Sequence, residues 1–280
     1  MLKSKPIQYE MGQTPPVDSR AFSVRKACRY RWNVLALLSI LGGPARTSHI
    51  FINVDMSRVQ LLRRQLLESN IRVTVTAFLL KAISICQERF PASRTACLPG
   101  GRLVTFNNIV AGFTVEREID GEPAVFFGEI EAPQKKPISE IAAILKDFAD
   151  GDINKVAKLK QQKLFAEMPW LIRQSVMYLG ALFPFVRLKC MAATFGLSSL
   201  GALGVVVACG PSVSTSVFGI GAVVDCPVVI DQKVVIKPIV NISLNYDQRV
   251  MDARVAARFL QAVKTLLEDE DMNWVLLPAG

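Results

Sequence analysis

The sequence predicts an α+β fold, a mixed sheet flanked by helices. Three observations support it: apolar residues recur at helical spacing through the first two thirds, short runs of strand type crowd the last third, and no repeat of roughly 20 to 50 residues is present. A mixed-sheet α/β arrangement answers the same pattern. With 280 residues, 51% of them apolar and 20% charged, the chain can bury a large core, and its composition is not that of a disordered protein.

The elements follow in order. Residues 1–20, with Pro6, Gly12, Pro15 and Pro16, read as an irregular N-terminal arm, and residues 21–280 as one domain. Residues 21–41 are helical in character and stop at Gly42-Gly43-Pro44, because glycine accepts left-handed geometry and proline cannot continue a helix. Residues 49–54 alternate as a strand, Asp55-Met56-Ser57 turns it into a helix through Leu66, and residues 74–87 form a more apolar, central helix. Residues 103–107, 110–116 and 125–129 read as strands, with a turn around Asp120-Gly121. Residues 138–148 form a helix for which Ser139 is a candidate cap, and residues 153–163 a charged one. From Phe195 onward the expected strands are 205–208, 219–224, 228–230, 234–236 and 239–246. A last helix, 253–267, places Ala256, Phe259, Leu260, Val263 and Leu267 on one side.

Composition narrows the function classes. Six scattered cysteines (Cys28, Cys86, Cys97, Cys190, Cys209, Cys226) include no Cys-x-x-Cys pair and mostly sit in apolar runs, which predicts reduced thiols, no zinc site and a cytoplasmic protein. The first 20 residues lack a signal-peptide core. No stretch reaches the roughly 18 apolar residues of a spanning helix. The nearest, residues 169–190, is interrupted by Arg173, Pro184, Arg187 and Lys189 and reads as a buried, subunit-packing or interfacial helix. A net charge of +9 attracts polyanions: an anionic membrane surface, an acidic carrier protein or the phosphates of coenzyme A. Nucleic acid is not expected, because the cluster Arg20, Arg25, Lys26, Arg29 and Arg31 comes without any nucleic-acid-binding motif.

Five segments, in order, carry a resemblance. They are Ser48-His49-Ile50 leading to Asp55, Ala77-Phe78-Leu79-Leu80-Lys81-Ala82, Thr194-Phe195-Gly196-Leu197-Ser198-Ser199-Leu200-Gly201, Phe218-Gly219-Ile220-Gly221 with Pro227-Val228-Val229, and Tyr246-Asp247-Gln248-Arg249-Val250-Met251-Asp252-Ala253 followed by Ala256-Ala257-Arg258-Phe259-Leu260. Together they resemble the catalytic domain of the 2-oxo acid dehydrogenase (dihydrolipoyl) acyltransferases over about residues 20 to 270. The resemblance implies a chloramphenicol acetyltransferase-like fold, a homotrimer, and a channel between subunits in which acyl-CoA or an acyl-lipoyl donor meets the acceptor. It also implies roles: a histidine as general base and a serine hydroxyl that hydrogen-bonds the oxyanion.

Carried over by position, Ser198 matches the oxyanion serine, Gln248 the base and Asp252 the motif's aspartate. Gln248 has no titratable proton, and loss of a general base costs on the order of a hundred- to ten-thousand-fold in rate. His49, the chain's one histidine, is the candidate for a relocated base, or else a packing residue of its strand. Ser198 reads equally as a turn residue, Asp252 as a structural salt-bridge partner at a helix start, and Asp247 and Arg249 as a structural pair. The chain shows no lipoyl domain or Ala/Pro linker, so the expected donor is free acyl-CoA or an acyl-carrier protein, used as a co-substrate with a small-molecule acceptor and with no tightly bound cofactor. Three functions answer these residues: acyl transfer from a thioester with altered base chemistry, a repurposed biosynthetic cyclisation, elimination or condensation, and a non-catalytic trimeric scaffold.

Overall fold

The computed structural model describes residues 29–119, 122–153 and 155–275. The N-terminal arm, residues 21–28 with Cys28 and most of the basic cluster, and the Asp120-Gly121 turn lie outside them. The elements are α1 (Arg29–Leu37), continued by a π-helical turn (Leu38–Gly42), β1 (Thr47–Asp55), α2 (Ser57–Glu68), α3 (Val75–Arg89), β2 (Thr95–Leu98), β3 (Arg102–Thr105), β4 (Val110–Ile119), β5 (Glu122–Glu131), α4 (Ile138–Asp150), α5 (Ala157–Glu167), α6 (Trp170–Leu182), α7 (Pro184–Cys190), β6 (Phe195–Ser199), β7 (Ser216–Ile230), β8 (Lys233–Asp247) and α8 (Ala253–Leu267).

Six strands form a mixed sheet in the order β1-β8-β7-β6-β4-β5, in which β6 runs parallel to both of its neighbours and every other pair is antiparallel. Strands β2 and β3 form a separate pair. The α+β expectation is therefore correct. Period-2 alternation divides the sheet into two unlike faces. One face carries Phe195, Leu197, Phe218, Ile220, Ile242, Leu244 and Tyr246, all buried against the same core as α3, α4 and α8. The helix α8 contributes Ala256, Phe259, Leu260, Val263 and Leu267, the five residues that the spacing selected, each buried. A fully buried side chain of this kind stabilises by about 1.5–3 kcal/mol.

The other face carries small and polar residues: Ser198, Gly219, Ser243, Asn245 and Asp247. Part of it is crossed by residues 205–212. The sequence predicts a strand at 205–208, but the chain there is irregular. A bulge between Ile220 and Val223 frees the Ala222 N–H, which donates to Val205 O at 2.7 Å, and the Ser243 hydroxyl donates to Ala208 O at 2.5 Å. These contacts capture an apolar run that would otherwise pair as a strand.

Three further expectations need correction. The cap of α4 is Pro137, and Ser139 is the helix's second residue, with the Glu140 and Ile141 amides donating to Pro137 O. Helix α5 begins at Ala157 rather than Ile153, because Lys155 and Val156 donate to Asp152 O in a turn that packs Ile153 and Val156 on the core. The four short strands expected between 219 and 246 are two long ones, β7 and β8. Pro227 and Pro238 lie where these strands extend beyond the ends of β6 and β1 as a two-stranded ribbon, in which a missing N–H is tolerated. Asp231 and Gln232, with φ of 49° and 62°, form the two-residue turn that closes the ribbon.

Residues 169–190 do not form one helix. Phe183 and Pro184 divide them into α6 and α7, and most of their apolar side chains are exposed on this chain rather than packed in its core.

Candidate functional site

The motif residues collect at one corner of the sheet, where β1 begins and β8 ends. Asp247 is buried and accepts from Arg249 Nε at 3.0 Å and Nη2 at 2.6 Å, and from the backbone amides of Arg249 (3.0 Å) and Arg46 (3.3 Å). Burial alone would raise its pKa. The hydrogen bonds from Arg249 and Arg46 outweigh that effect and leave it below the ordinary carboxylate value, while the hydrogen bond to Asp247 holds Arg249 above its own. This pair bears out the structural reading of both residues and sets the turn at 248–250, in which Gln248 N donates to Arg46 O at 2.9 Å.

The stabilisation from Asp247 is fully present above its unfolded pKa of about 3.9 and is lost as pH falls through the lower folded value. Asp247→Asn should therefore lower stability by about 2–3 kcal/mol at neutral pH. It should also remove the steep acid limb that the wild type shows below about pH 4, read as urea midpoints at neutral and acid pH.

Gln248 is exposed, and its side-chain amide donates to the Ser48 hydroxyl. His49 follows on β1 and faces the opposite side of the strand. Its Nδ1 lies 2.5 Å from Asn245 Oδ1, directly across the ladder. With Nδ1–H donating to that carbonyl, Nε2 keeps its lone pair. Asn245 is fully buried, and its Nδ2 has no hydrogen-bond partner. Asp252 caps α8, accepting from Val255 N at 2.8 Å. Its role here is a helix cap rather than the salt bridge expected from the sequence.

Ser198 lies elsewhere. It pairs with Gly219 on β7, which pairs with Ser243 on β8, which pairs with Phe51 on β1. At about 3.3 Å per residue and 4.8 Å per strand, Ser198 and Gln248 are on the order of 15–20 Å apart within one chain. The structure thus brings Gln248, His49 and Asp252 to one end of the sheet and leaves Ser198 at a distance. Ser198 does share its sheet face with His49, and the 205–212 segment crosses between them. Its hydroxyl accepts from Thr114 Oγ1 at 3.3 Å.

Asn245, Ser48 and Thr114 are the partners that sequence reading missed. Alternation from Asp247 would have put Asn245 on the same sheet face, but its cross-strand neighbour His49 is 196 residues away and no local pattern links them.

Residues 189–276 match the family profile described as 2-oxoacid dehydrogenases acyltransferase (catalytic domain). Among curated proteins, the chain is 42% identical over 85 residues to the lipoamide acyltransferase component of the branched-chain alpha-keto acid dehydrogenase complex of Pseudomonas putida, covering 29% of this chain and 20% of that one. It is 40% identical over 84 residues to the dihydrolipoyllysine-residue acetyltransferase component of the acetoin cleaving system of Bacillus subtilis, covering 29% and 21%. The chain thus spans about a fifth of the length of these relatives.

Among solved structures, the dihydrolipoamide acetyltransferase of Azotobacter vinelandii superposes with a TM-score of 0.68 at 20% identity, over 95% of this chain and 99% of that one. A probable dihydrolipoamide acetyltransferase of Listeria monocytogenes gives 0.67 at 19%, over 89% and 96%. These two establish the fold. The C-terminal third of the chain thus resembles the 2-oxoacid dehydrogenase acyltransferase catalytic domains in sequence, and nearly its whole length shares their fold.

Proposed function

We propose that the protein catalyses acyl transfer from a thioester, with His49 as the proton acceptor in place of the histidine absent at position 248. The observation that carries this reading is the His49–Asn245 contact, which orients an imidazole on the sheet face that also bears Ser198. An imidazole can take a proton from an attacking thiol or hydroxyl, and an amide cannot. Ser198, polarised by Thr114, is the oxyanion donor.

Because one chain holds the two groups too far apart for a single reacting atom, the site is assembled from the His49 corner of one copy and the Ser198 region of another, in a homotrimer. The donor is acyl-CoA or an acyl-carrier protein, both anionic and suited to a chain of net charge +9. The acceptor is a small molecule.

The test is thiol release from a panel of acyl-CoA and acyl-carrier donors. The expected result is turnover that falls a hundred-fold or more in His49→Gln and about a hundred-fold in Ser198→Ala, with the trimer retained. Turnover unchanged in His49→Gln overturns the assignment of the base. An inactive wild type that gains transfer on Gln248→His overturns the enzymatic reading and supports a second one, a non-catalytic trimeric subunit. That second reading is favoured by the engagement of Gln248 with Ser48 inside its own chain.

A further inference from the structure

Helix α7 turns back against α6 at Phe183-Pro184, so closely that a Cβ at Gly180 would lie 3.9 Å from Arg187 Cα. This packing buries Arg187 against the 212–214 loop and leaves 8% of it exposed. Its guanidinium makes one hydrogen bond, from Nη2 to Val213 O at 2.7 Å. Nε is enclosed with no partner, and no carboxylate pairs with the side chain among the described residues. Arginine cannot shed its charge near neutral pH, so burial leaves a full positive charge facing one neutral carbonyl. A buried charge of this kind is strongly destabilising unless an anion meets it.

The elements around Arg187 hold no acid that could meet it. Residues 168–224, which include α6, α7 and the loop, contain no aspartate or glutamate, and neither do residues 19–54, whose Gly42 turn backs onto Ser212. Glu129, which reaches the Ala192 amide just beyond α7, is already paired with Lys158 at 2.6 Å. Burial lowers the Arg187 pKa, and no acid among the described residues opposes that effect. The chemistry of the guanidinium indicates the class of anion: one positive charge balances one negative charge, and the planar fork matches the two oxygens of a carboxylate. With so little of Arg187 at the surface, a carboxylate from a neighbouring protein would have to be drawn deep into the fold, whereas a small acid need only diffuse in.

We propose that Arg187 anchors a binding site for a small monocarboxylate, between α7 and the 212–214 loop. The inference stands independently of the acyl-transfer reading, since Arg187 makes its one hydrogen bond outside the candidate site.

The test is calorimetric binding and thermal unfolding of the full chain with sodium acetate, propionate and butyrate, each against sodium chloride at equal ionic strength, and with sodium phosphate as a second anion. The expected result is saturable binding of a carboxylate and a rise in wild-type melting temperature larger than phosphate gives. Arg187→Met should melt no lower than the wild type in chloride, since it replaces a buried charge by an apolar chain. It should also bind the carboxylate on the order of ten- to a hundredfold more weakly. Arg187→Lys keeps the charge and loses the fork; it should bind about tenfold more weakly, and it supplies the comparison if the methionine variant does not fold. No saturable binding of these carboxylates by the wild type, or equal binding by the folded variants, overturns the proposal. A response to phosphate alone overturns the carboxylate assignment. So does a loss of assembly mass in Arg187→Met while the wild type ignores every anion, since the counter-charge then comes from another copy of this chain.

Discussion

Lys81→Ala is expected to cost about 3–5 kcal/mol of stability, the range for removing one partner from a buried charged network. Lys81 is fully buried in α3, and its ammonium donates to Lys136 O at 2.6 Å and Val275 O at 3.2 Å. It thereby joins three parts of the chain that are distant in sequence: the central helix, the approach to α4 and the C-terminal turn. Alanine leaves both carbonyls without this donor and removes a fully buried side chain from α3.

Burial pushes the Lys81 pKa down to about 8, below its unfolded value of about 10.4. Between those pH values the unfolded chain binds a proton that the folded chain has released, so this group's contribution to stability rises with pH. Cys86 acts in the opposite direction. Burial pushes its thiol up to about 12, so the folded chain keeps a proton that the unfolded chain loses. The difference between wild type and Lys81→Met isolates the lysine: denaturant titrations from pH 7 to pH 10 should show wild-type stability gaining on the variant through that window. A constant gap would contradict a neutralising lysine.

Gly221→Val should abolish folding of the sheet's polar face and yield little soluble protein. A Cβ at Gly221 would sit 1.8 Å from Val206 O and 2.5 Å from Val206 C, and one at Gly219 would sit 2.0 Å from Ala208 O. Both neighbours are backbone, so no rotamer change relieves the contact. The crossing segment would have to lift, which breaks the Ala222–Val205 and Ser243–Ala208 hydrogen bonds in addition to the overpacking strain. Overpacking alone costs about 1–3 kcal/mol and each lost bond about 1 kcal/mol, a sum comparable to much of a domain's stability. Soluble yield, limited proteolysis within 200–215 and thermal unfolding measure the result. A Gly221→Val protein with wild-type melting would show that the segment does not lie against the strand.

The elements legible from sequence are those whose burial partners repeat at fixed spacing. Helix α8 was readable because Ala256, Phe259, Leu260, Val263 and Leu267 recur on one face, and β1 because its alternation is regular. Residues 205–208 failed because a run of valines satisfies a strand pattern whether or not a neighbouring strand offers its edge. Here the neighbouring groups are a bulge amide and a serine hydroxyl on strands β7 and β8. Helix α6 was harder, since an apolar stripe looks the same whether it faces a core or open space. The direction of Arg173 toward Asn33 is what turns the stripe outward.

From the sequence alone come the α+β class, the motif around Gln248, the absence of an ionisable group at that position, and the structural pairing of Asp247 with Arg249. These are local properties, determined by residue identity and by spacings of a few positions. Only the tertiary structure decides that His49 meets Asn245, that Gln248 bonds Ser48, and that Ser198 stands on the order of 15–20 Å from the motif, because strand pairing joins residues some 200 positions apart. That pairing places the His49 imidazole on the sheet face that carries Ser198.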